Sequence, residues 1–188
     1  HQVKVKVMDA SELYDPEFRK LIKSKKQTVI IPVGSLEQHG AHLPITTDSD
    51  IVTEIASRLG KKCGFIVLPT INYGISYEHE PLFNTSIRDH HLVDILQDIF
   101  RSLAANSIKS VVILNGHHGN INAVMSSTTP SSYWEDFMLE GIGSSSIKLR
   151  YYSYWHFMEH EFDHAGFVET SLMLAISDKV KMKKAKKG

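Results

Sequence analysis

Four short apolar runs alternate with segments of helical periodicity in this chain, and this alternation limits what the chain can fold into. The runs cover residues 28–33, 64–69, 110–115 and 147–154. Segments of helical period cover 9–26, 50–60, 89–106, a stretch from about 120, and 167–176. Strands that alternate with helices form βαβ units and a mostly parallel sheet with helices on both faces. The sequence therefore predicts one α/β domain over residues 1–188, a three-layer α/β/α sandwich.

Acidic and histidine residues are concentrated directly after three of the predicted strands. The three clusters occupy residues 37–50, 115–120 and 156–169. Ligands of parallel α/β sheets bind outside the carboxyl ends of the strands, so we expect the clusters to meet at one edge. Each cluster also has a purely structural interpretation. Asp48 or Asp50 could cap a helix, and Glu169 suits a helix N-terminus. The glycines of 115–120 are typical of a tight turn.

The first cluster has the composition of a metal site. Glu37 and His39 are two residues apart, so in extended backbone their side chains point the same way. Asp48 comes after Gly40 and Pro44, which bend the loop back, and its carboxylate has two oxygens that can bridge two cations. Mn²⁺, Fe²⁺ and Zn²⁺ accept mixed oxygen and nitrogen ligands. We therefore expect a divalent metal centre at this edge of the sheet.

Composition and charge argue against several other classes of protein. The formal net charge is zero, so no basic field would hold nucleic acid or an anionic membrane. The longest apolar runs are far short of a membrane span, and the chain does not open on a signal-peptide pattern. The single cysteine, Cys63, excludes an internal disulfide and fits a reducing compartment, so we expect a cytoplasmic protein. A non-catalytic binding module remains a second hypothesis, although structural zinc sites are usually rich in cysteine.

Four motifs, in order, resemble those of the creatininase (creatinine amidohydrolase) family. They are Gly34-Ser-x-Glu-Gln-His-Gly-x-His-Leu-Pro with Asp48, Gly-x-Ser-x-Glu-His at 74–79, Asn-Gly-His-x-Gly-Asn at 115–120 and His-Ala-Gly-x-x-Glu-Thr-Ser at 164–171. The resemblance covers residues 28–178, nearly the whole chain. It implies an α/β sandwich, a pair of divalent metal ions (Fe, Mn or Zn), hydrolysis of non-peptide amide bonds, and homo-oligomers.

The resemblance also implies roles for individual residues. The implied metal ligands are Glu37, His39, Asp48 and His117, with Asp48 between the two ions. Creatinine-hydrolysing members carry a glutamate where this chain has Gly119, and Glu169 is the expected substitute. His164 matches the family's proposed proton donor. The residues expected at the substrate or behind the ligands are His42, Glu78, His79, His118 and Asp163. Of these, Asp163 could fix the tautomer of His164, and His118 should not share an ion with its neighbour His117.

One branch of the family is similar to this chain in more detail. The short length, Gly119 and the segment 162–171 are similar to the archaeal formylaminopyrimidine deformylases of riboflavin and deazaflavin (F420) biosynthesis. Those enzymes release formate from 2-amino-5-formylamino-6-ribosylaminopyrimidin-4(3H)-one 5'-monophosphate. The expected partner is therefore a small molecule, a pyrimidine ribonucleotide. Creatinine or another cyclic amide is the alternative substrate, although Gly119 argues against creatinine.

Overall fold

A four-stranded parallel sheet forms the centre of the fold. The computed structural model describes residues 9–23, 28–129 and 147–186. Its strands are β1 (Thr28–Val33), β2 (Ile66–Val67), β3 (Ser110–Asn115) and β4 (Lys148–Ser153), in the order β2-β1-β3-β4. Every neighbouring pair is parallel, which confirms the predicted sheet. In this register Val33, Asn115 and Ser153 lie side by side at the carboxyl ends of the three longer strands.

Helices cover both faces of the sheet and complete the predicted α/β/α sandwich. They are α1 (Asp15–Ile22), α2 (Thr47–Cys63), α3 (Asp89–Ala105), α4 (Ile121–Thr128) and α5 (Phe167–Ile176). On one face, Ile31 and Ile113 pack with Phe100 of α3 and with residues of α1 and α4. On the other face, Ile30 packs against α2, which in turn contacts Met173 of α5. Alternate residues of each strand thus enter different cores, as the period of a β-strand requires.

The first helix is shorter than predicted. Instead of one helix over 9–26, Ala10–Glu12 form a 3₁₀ turn and α1 begins only at Asp15. The side chain of Asp9 caps this 3₁₀ turn by accepting a hydrogen bond from the backbone of Ser11, and extended backbone at Leu13 and Tyr14 separates the turn from α1. Pro16 fits only the first turn of a helix, because it has no N–H and its ring would clash with a preceding turn. Residues 24–26 lie outside the described residues.

Two other boundaries differ from the sequence-based prediction. Helix α2 begins at Thr47 rather than at 50, so Asp48 is part of its first turn. It ends at Gly64, whose φ of +70° suits a residue without a side chain, and not at Gly60. Strand β2 is two residues long instead of six, since Pro69 has no N–H to donate to a ladder.

The described helices include none that is both long and apolar enough to cross a membrane.

Candidate metal centre

Five buried side chains meet at the carboxyl edge of the sheet, and we call them the five-residue cluster. Two come from the loop after β1, one follows β3, and two belong to the first turns of α2 and α5. In chain order they are Glu37, His39, Asp48, His117 and Glu169. The N-terminus of a helix carries a partial positive charge, which helps α2 and α5 to hold buried carboxylates.

Asp48 lies at the middle of the five-residue cluster. Its Oδ1 is 3.2 Å from His39 Nε2, and its Oδ2 is 2.9 Å from His117 Nδ1. Each histidine has a second acidic neighbour: Glu169 Oε2 is 3.3 Å from the same Nε2 of His39, and Glu37 Oε2 is 3.3 Å from His117 Nε2, the other nitrogen of that ring. The two oxygens of Asp48 thus face two different histidines. This is the arrangement expected of a carboxylate that bridges two cations.

Four buried polar atoms of the five-residue cluster have no hydrogen bond of normal geometry within the described residues. They are Glu37 Oε1, His39 Nε2, Asp48 Oδ2 and Glu169 Oε1. The short contact between Asp48 Oδ2 and His117 therefore does not have hydrogen-bond direction. An unpaired buried polar group costs about 1–3 kcal/mol, so four together call for another partner. A divalent cation is such a partner, and carboxylate oxygens with imidazole nitrogens suit Mn, Fe or Zn. The residues therefore fit a metal ion.

Mutual attraction within the five-residue cluster shifts the pKa values of its members. Burial alone lowers the pKa of His39, but the nearby carboxylates of Asp48 and Glu169 raise it to about 11. His117 behaves in the same way, and Asp48 and Glu37 raise its pKa to about 9. Burial raises the pKa of Asp48, but the two histidines lower it to about 2. The members of the cluster therefore interact electrostatically, and protons and metal ions compete for the same ligand atoms.

Backbone carbonyls orient the two histidines of the five-residue cluster. Nδ1 of His39 lies 3.2 Å from the carbonyl oxygen of Glu37, and Nε2 of His117 lies 2.7 Å from that of Ile75. A carbonyl accepts only, so each of these nitrogens carries the proton. In the neutral ring that a metal ion requires, the other nitrogen has the lone pair, and this nitrogen faces Asp48. Histidine ligands of metals are usually held by an outward N–H bond of this kind.

The loop that carries His117 is itself tied into the sheet edge. Asn115 Nδ2 donates to the carbonyl oxygen of His117 at 2.8 Å, and its Oδ1 accepts from the backbone of His117 at 3.1 Å. Asn120 joins this turn to the neighbouring loops, because its side chain donates to the Gly34 carbonyl and accepts from the Ile75 backbone. The segment 115–120 is therefore a tight turn, as its purely structural interpretation predicted. The same turn places the His117 side chain in the five-residue cluster.

His164 and His79 lie beside the five-residue cluster. The His164 ring centroid is 4.5 Å from that of His39 and 4.5 Å from that of His79. His164 Nδ1 is 3.6 Å from Glu37 Oε1, and His79 Nε2 is 3.0 Å from the same oxygen. Both histidines therefore belong to groups whose spacing could hold an ion. Burial, followed by the charges of His39 and His79, lowers the pKa of His164 to about 4.

A cavity of about 320 Å³ opens onto these groups. His118 lines it, and its ring stacks on Phe162 at 5.8 Å with an interplanar angle of 16°. Trp155 extends the same aromatic surface, since its ring lies 4.4 Å from that of Phe162. Glu78 stands half-exposed at the cavity, 3.7 Å from His117 Nε2. Two larger cavities occur elsewhere, but the unpaired polar atoms of the five-residue cluster identify this smaller one as the candidate site.

Two of the remaining predicted residues have mainly structural contacts. His42 is buried and its Nε2 lies 2.9 Å from Thr170 Oγ1, next to Glu169, but it does not line the 320 Å³ cavity. Asp163 lines the cavity, yet its carboxylate accepts backbone N–H groups of Val168 and Glu169 at 2.9 and 3.4 Å. Asp163 thus caps α5. The ring of His164 is contacted instead by Gln38, whose Nε2 lies 2.9 Å from His164 Nε2.

Sequence reasoning missed several polar residues around the acids. Ser35 donates to Glu37 Oε2 at 3.2 Å and bonds the hydroxyl of Ser76, and all three side chains are buried. Gln38 bonds two histidines of the site. Ser35, Gln38 and Ser76 lie inside the sequence motifs, but the motifs alone do not predict a role for them. Their position next to Glu37 and Glu78 in those motifs was the available signal, but their partners come from distant parts of the chain.

Comparisons with known proteins agree with the fold and the site. The family model described as creatinine amidohydrolase matches residues 11–188. Creatinine amidohydrolase of Pseudomonas putida is 28% identical over 197 residues, which cover 88% of this chain and 70% of that enzyme. Mycofactocin precursor peptide peptidase of Mycolicibacterium smegmatis is 33% identical over 156 residues, which cover 79% of this chain but 58% of that protein. The solved structure titled "Creatininase Mn" has a TM-score of 0.87 at 27% identity, covering 97% of this chain and 78% of that chain.

Solved creatininases include manganese and zinc forms. Together, the fold and the donor set define a metal-dependent hydrolase that acts on carbon–nitrogen bonds. The chain belongs to the creatininase family.

The deformylase branch is a more distant relative than the sequence analysis expected. The deformylase of Methanosphaera stadtmanae that acts on the formylaminopyrimidine nucleotide is 35% identical, but over only 96 residues, which cover 48% of this chain and 40% of that enzyme. The similarity is therefore partial, and the comparisons assign this chain to the family but not to one of its branches.

Proposed function

We propose that this chain hydrolyses the formyl carbon–nitrogen bond of a formylamino-pyrimidine ribonucleotide. In this proposal the five-residue cluster holds two divalent ions, Fe, Mn or Zn, within a single domain. Ions bound there supply Lewis acidity and a hydroxide nucleophile near neutral pH. Water adds to the formyl carbon, the C–N bond breaks, and formate and a pyrimidine amine are the products.

The surroundings of Gly119 are the observation that carries this choice of substrate. A Cβ at this position would overlap the carbonyl oxygen of Ile75 and lie 2.6 Å from His117 Nε2. The glutamate of creatinine-hydrolysing members therefore does not fit this backbone. Glu169 supplies a buried carboxylate from α5 instead, within 3.3 Å of His39. An acid delivered from another element changes the shape of the cavity next to the ions, which supports a substrate other than creatinine.

Several residues are suited to bind and protonate such a substrate. The aromatic rings of His118 and Phe162 line the cavity, with Trp155 packed behind them, and a pyrimidine ring can stack on such a ring. His164 borders the same cavity and is one-third exposed, so the leaving nitrogen can reach it. Its role in the proposal is to donate the proton that this nitrogen needs as the C–N bond breaks.

Formate release from the metal-reconstituted protein tests this proposal. Protein loaded in turn with Fe²⁺, Mn²⁺ and Zn²⁺ is mixed with the formylamino-pyrimidine nucleotide, with its dephosphorylated nucleoside, and with creatinine. We expect formate from the nucleotide and a kcat/KM for creatinine that is lower by roughly 10²-fold or more, because a mismatched site discriminates by that order. A higher kcat/KM for creatinine would contradict the choice of substrate. Retained metal without hydrolysis of formamides, lactams or peptides would favour a binding module.

His164→Ala separates proton donation from metal binding. We expect full metal content and a turnover lower by roughly 10²–10⁴-fold, which is the usual contribution of a positioned acid–base group. Formamides with a better leaving nitrogen should lose less, since they need less protonation. Loss of metal, or an unchanged rate, would assign the role to another residue. Gln97→Ala, in the middle of α3, is the control for the effects of mutation and purification.

We also propose that the chain forms a homo-oligomer in the cytoplasm. An apolar cavity of about 490 Å³ lies between α2, β4 and residues 154–158, with Leu59 and Phe157 at its border. Phe157 is 73% exposed, and exposed apolar patches are typical of protein interfaces. Light scattering on Phe157→Glu should show a smaller species than the wild type. An unchanged mass would place the interface elsewhere.

A further inference from the structure

Gln38 contacts two histidines of the site at once, through one amide group. Its Nε2 lies 3.1 Å from His79 Nδ1 and 2.9 Å from His164 Nε2. Its Oε1 accepts the backbone N–H of Gly40 at 3.0 Å. A backbone N–H can only donate, so the oxygen of the amide must face Gly40 and the nitrogen must face the histidines. The orientation of the Gln38 amide is therefore determined by its own loop.

This orientation determines where the imidazole protons are. The NH₂ group of Gln38 has two protons to donate and no lone pair to accept with, so both ring nitrogens that it contacts must be acceptors. His79 then carries its proton on Nε2, and His164 carries its proton on Nδ1. Both of these nitrogens lie on the side of the five-residue cluster, 3.0 and 3.6 Å from Glu37 Oε1.

His39 and His117 have the opposite arrangement. Their outward nitrogens donate to the carbonyls of Glu37 and Ile75, so in the neutral rings the lone pairs are on the inward nitrogens. A lone pair is what a metal ion needs, whereas an N–H cannot coordinate. Thus four histidines within a few ångströms of each other are divided into two pairs. One pair faces the centre with lone pairs, and the other pair faces it with protons.

We propose that Gln38 is a positioning residue, which holds His164 and His79 in the tautomers that present N–H groups to the substrate side of the site and excludes them as metal ligands. This inference rests on the proposed role of His164 as the proton donor. It adds the reason why a histidine at ligand distance from Glu37 and Glu169 donates a proton instead of binding an ion. The Nδ1 proton of His164 goes to the leaving nitrogen as the C–N bond breaks, and the ring takes a replacement proton at Nδ1 from the hydroxyl group that water has added to the formyl carbon, so formate leaves and the neutral ring is restored. Gln38 keeps Nε2 as a hydrogen-bond acceptor throughout.

The tautomers can be observed directly in the zinc-loaded protein, because Zn²⁺ is a closed-shell ion that leaves NMR lines sharp. Long-range ¹H–¹⁵N spectra distinguish protonated from unprotonated ring nitrogens, and single His→Ala variants assign the signals. In the wild type we expect a proton on Nδ1 of His164 and on Nε2 of His79. In Gln38→Glu, whose carboxylate can only accept, we expect protons on His164 Nε2 and His79 Nδ1. Zinc bound to His164 Nδ1, or tautomers that are the same in Gln38→Glu and wild type, would overturn the inference.

Kinetics of Gln38→Leu give a second measure, because this change removes the amide at similar volume. Metal content and KM should remain near the wild-type values, while kcat falls by roughly 10–100-fold, the usual effect of losing an outer hydrogen-bond partner. The loss should be larger for formamides with poor leaving nitrogens. A uniform loss that is independent of the leaving group, or loss of zinc, would contradict a role in proton donation. Gln97→Leu is the matched control and should keep the wild-type kcat.

Failure of the proposed function gives a different result from failure of this inference. If the wild type has the expected tautomers but releases no formate from any formamide, then the substrate is wrong and the role of Gln38 stands. If the wild type releases formate while His164 carries its proton on Nε2, then the function stands and the role of Gln38 is wrong.

Discussion

Substitution of Gly119 by alanine tests how closely the turn at 115–120 is packed against the site. Gly119 lies in a 3₁₀ turn (His118–Asn120) and does not have a positive φ. In the absence of close contacts, Gly→Ala would stabilise the fold by about 0.4–1 kcal/mol, since alanine reduces the entropy of the unfolded chain. In this structure the new Cβ would overlap the Ile75 carbonyl and lie 2.6 Å from His117 Nε2. The sign of the effect should therefore be reversed.

The expected magnitude follows from the two contacts that must change. Overpacking of a buried site costs about 1–3 kcal/mol. Separation of Ile75 from His117 also breaks the 2.7 Å hydrogen bond that orients the imidazole, which adds about 1–3 kcal/mol. After subtraction of the entropic gain, Gly119→Ala should lower the free energy of unfolding by roughly 1–5 kcal/mol. Affinity for metal should fall by roughly 10–100-fold, because His117 loses its orienting bond.

Urea denaturation of protein stripped of metal measures the first quantity, and competition with a zinc chelator measures the second. Gly64→Ala is the control: its Cβ would meet open space, but its φ is +70°. It should lose about 1 kcal/mol, the cost of a left-handed residue, with unchanged zinc affinity. If Gly119→Ala is as stable as the wild type and binds zinc equally well, then the turn is not packed as described and Gly119 does not exclude a side chain.

Three further predictions concern the ligands and their supports. His117→Ala should lose metal whereas His118→Ala retains it, because the His118 ring stacks on Phe162 instead of facing the cluster; metal analysis giving the opposite pattern would refute the assignment. In protein stripped of metal, the raised pKa values of His39 (about 11) and His117 (about 9) mean that both rings hold protons at pH 7–8. Since ligands must be neutral, zinc binding should release protons and its affinity should rise with pH; calorimetric heats that do not depend on the ionisation enthalpy of the buffer would contradict this. Asp163→Ala removes the cap of α5 and should cost about 1 kcal/mol in urea denaturation, whereas an unchanged midpoint would mean that the cap contributes nothing.

The fold was predictable because its pattern is local. Apolar runs such as 28–33 and 110–115 are too short and too rich in β-branched residues to be helices, and amphipathic segments separate them. Parallel pairing of β1 with β3 follows from that alternation and aligns their carboxyl ends. The errors arose at boundaries, where one residue decides. Pro16 restricts the start of α1, and Gly64 supplies the left-handed residue that ends α2.

The meeting of the five-residue cluster was predictable for the same reason. Each of its members follows a strand or begins the next helix, and the geometry of a parallel sheet carries such positions to one edge. The contacts between them depended on more than the pattern. Asp48 is not part of a bent loop but of the first turn of α2, and this places its two oxygens between His39 and His117.

Residue types and their order along the chain were thus sufficient to determine the α/β/α sandwich, the edge at which the site lies and the oxygen and nitrogen donors that meet there. Only the tertiary structure decided which nitrogen of each neutral histidine ring faces the site, and hence whether the ring presents a lone pair or a proton there. That division depends on acceptors and donors from distant segments: the Ile75 carbonyl bonds His117, and the amide of Gln38 bonds His164, 126 residues away along the chain. Neither the spacing nor the composition of a sequence predicts hydrogen bonds between residues so far apart along the chain, because such bonds form only when separate loops pack together.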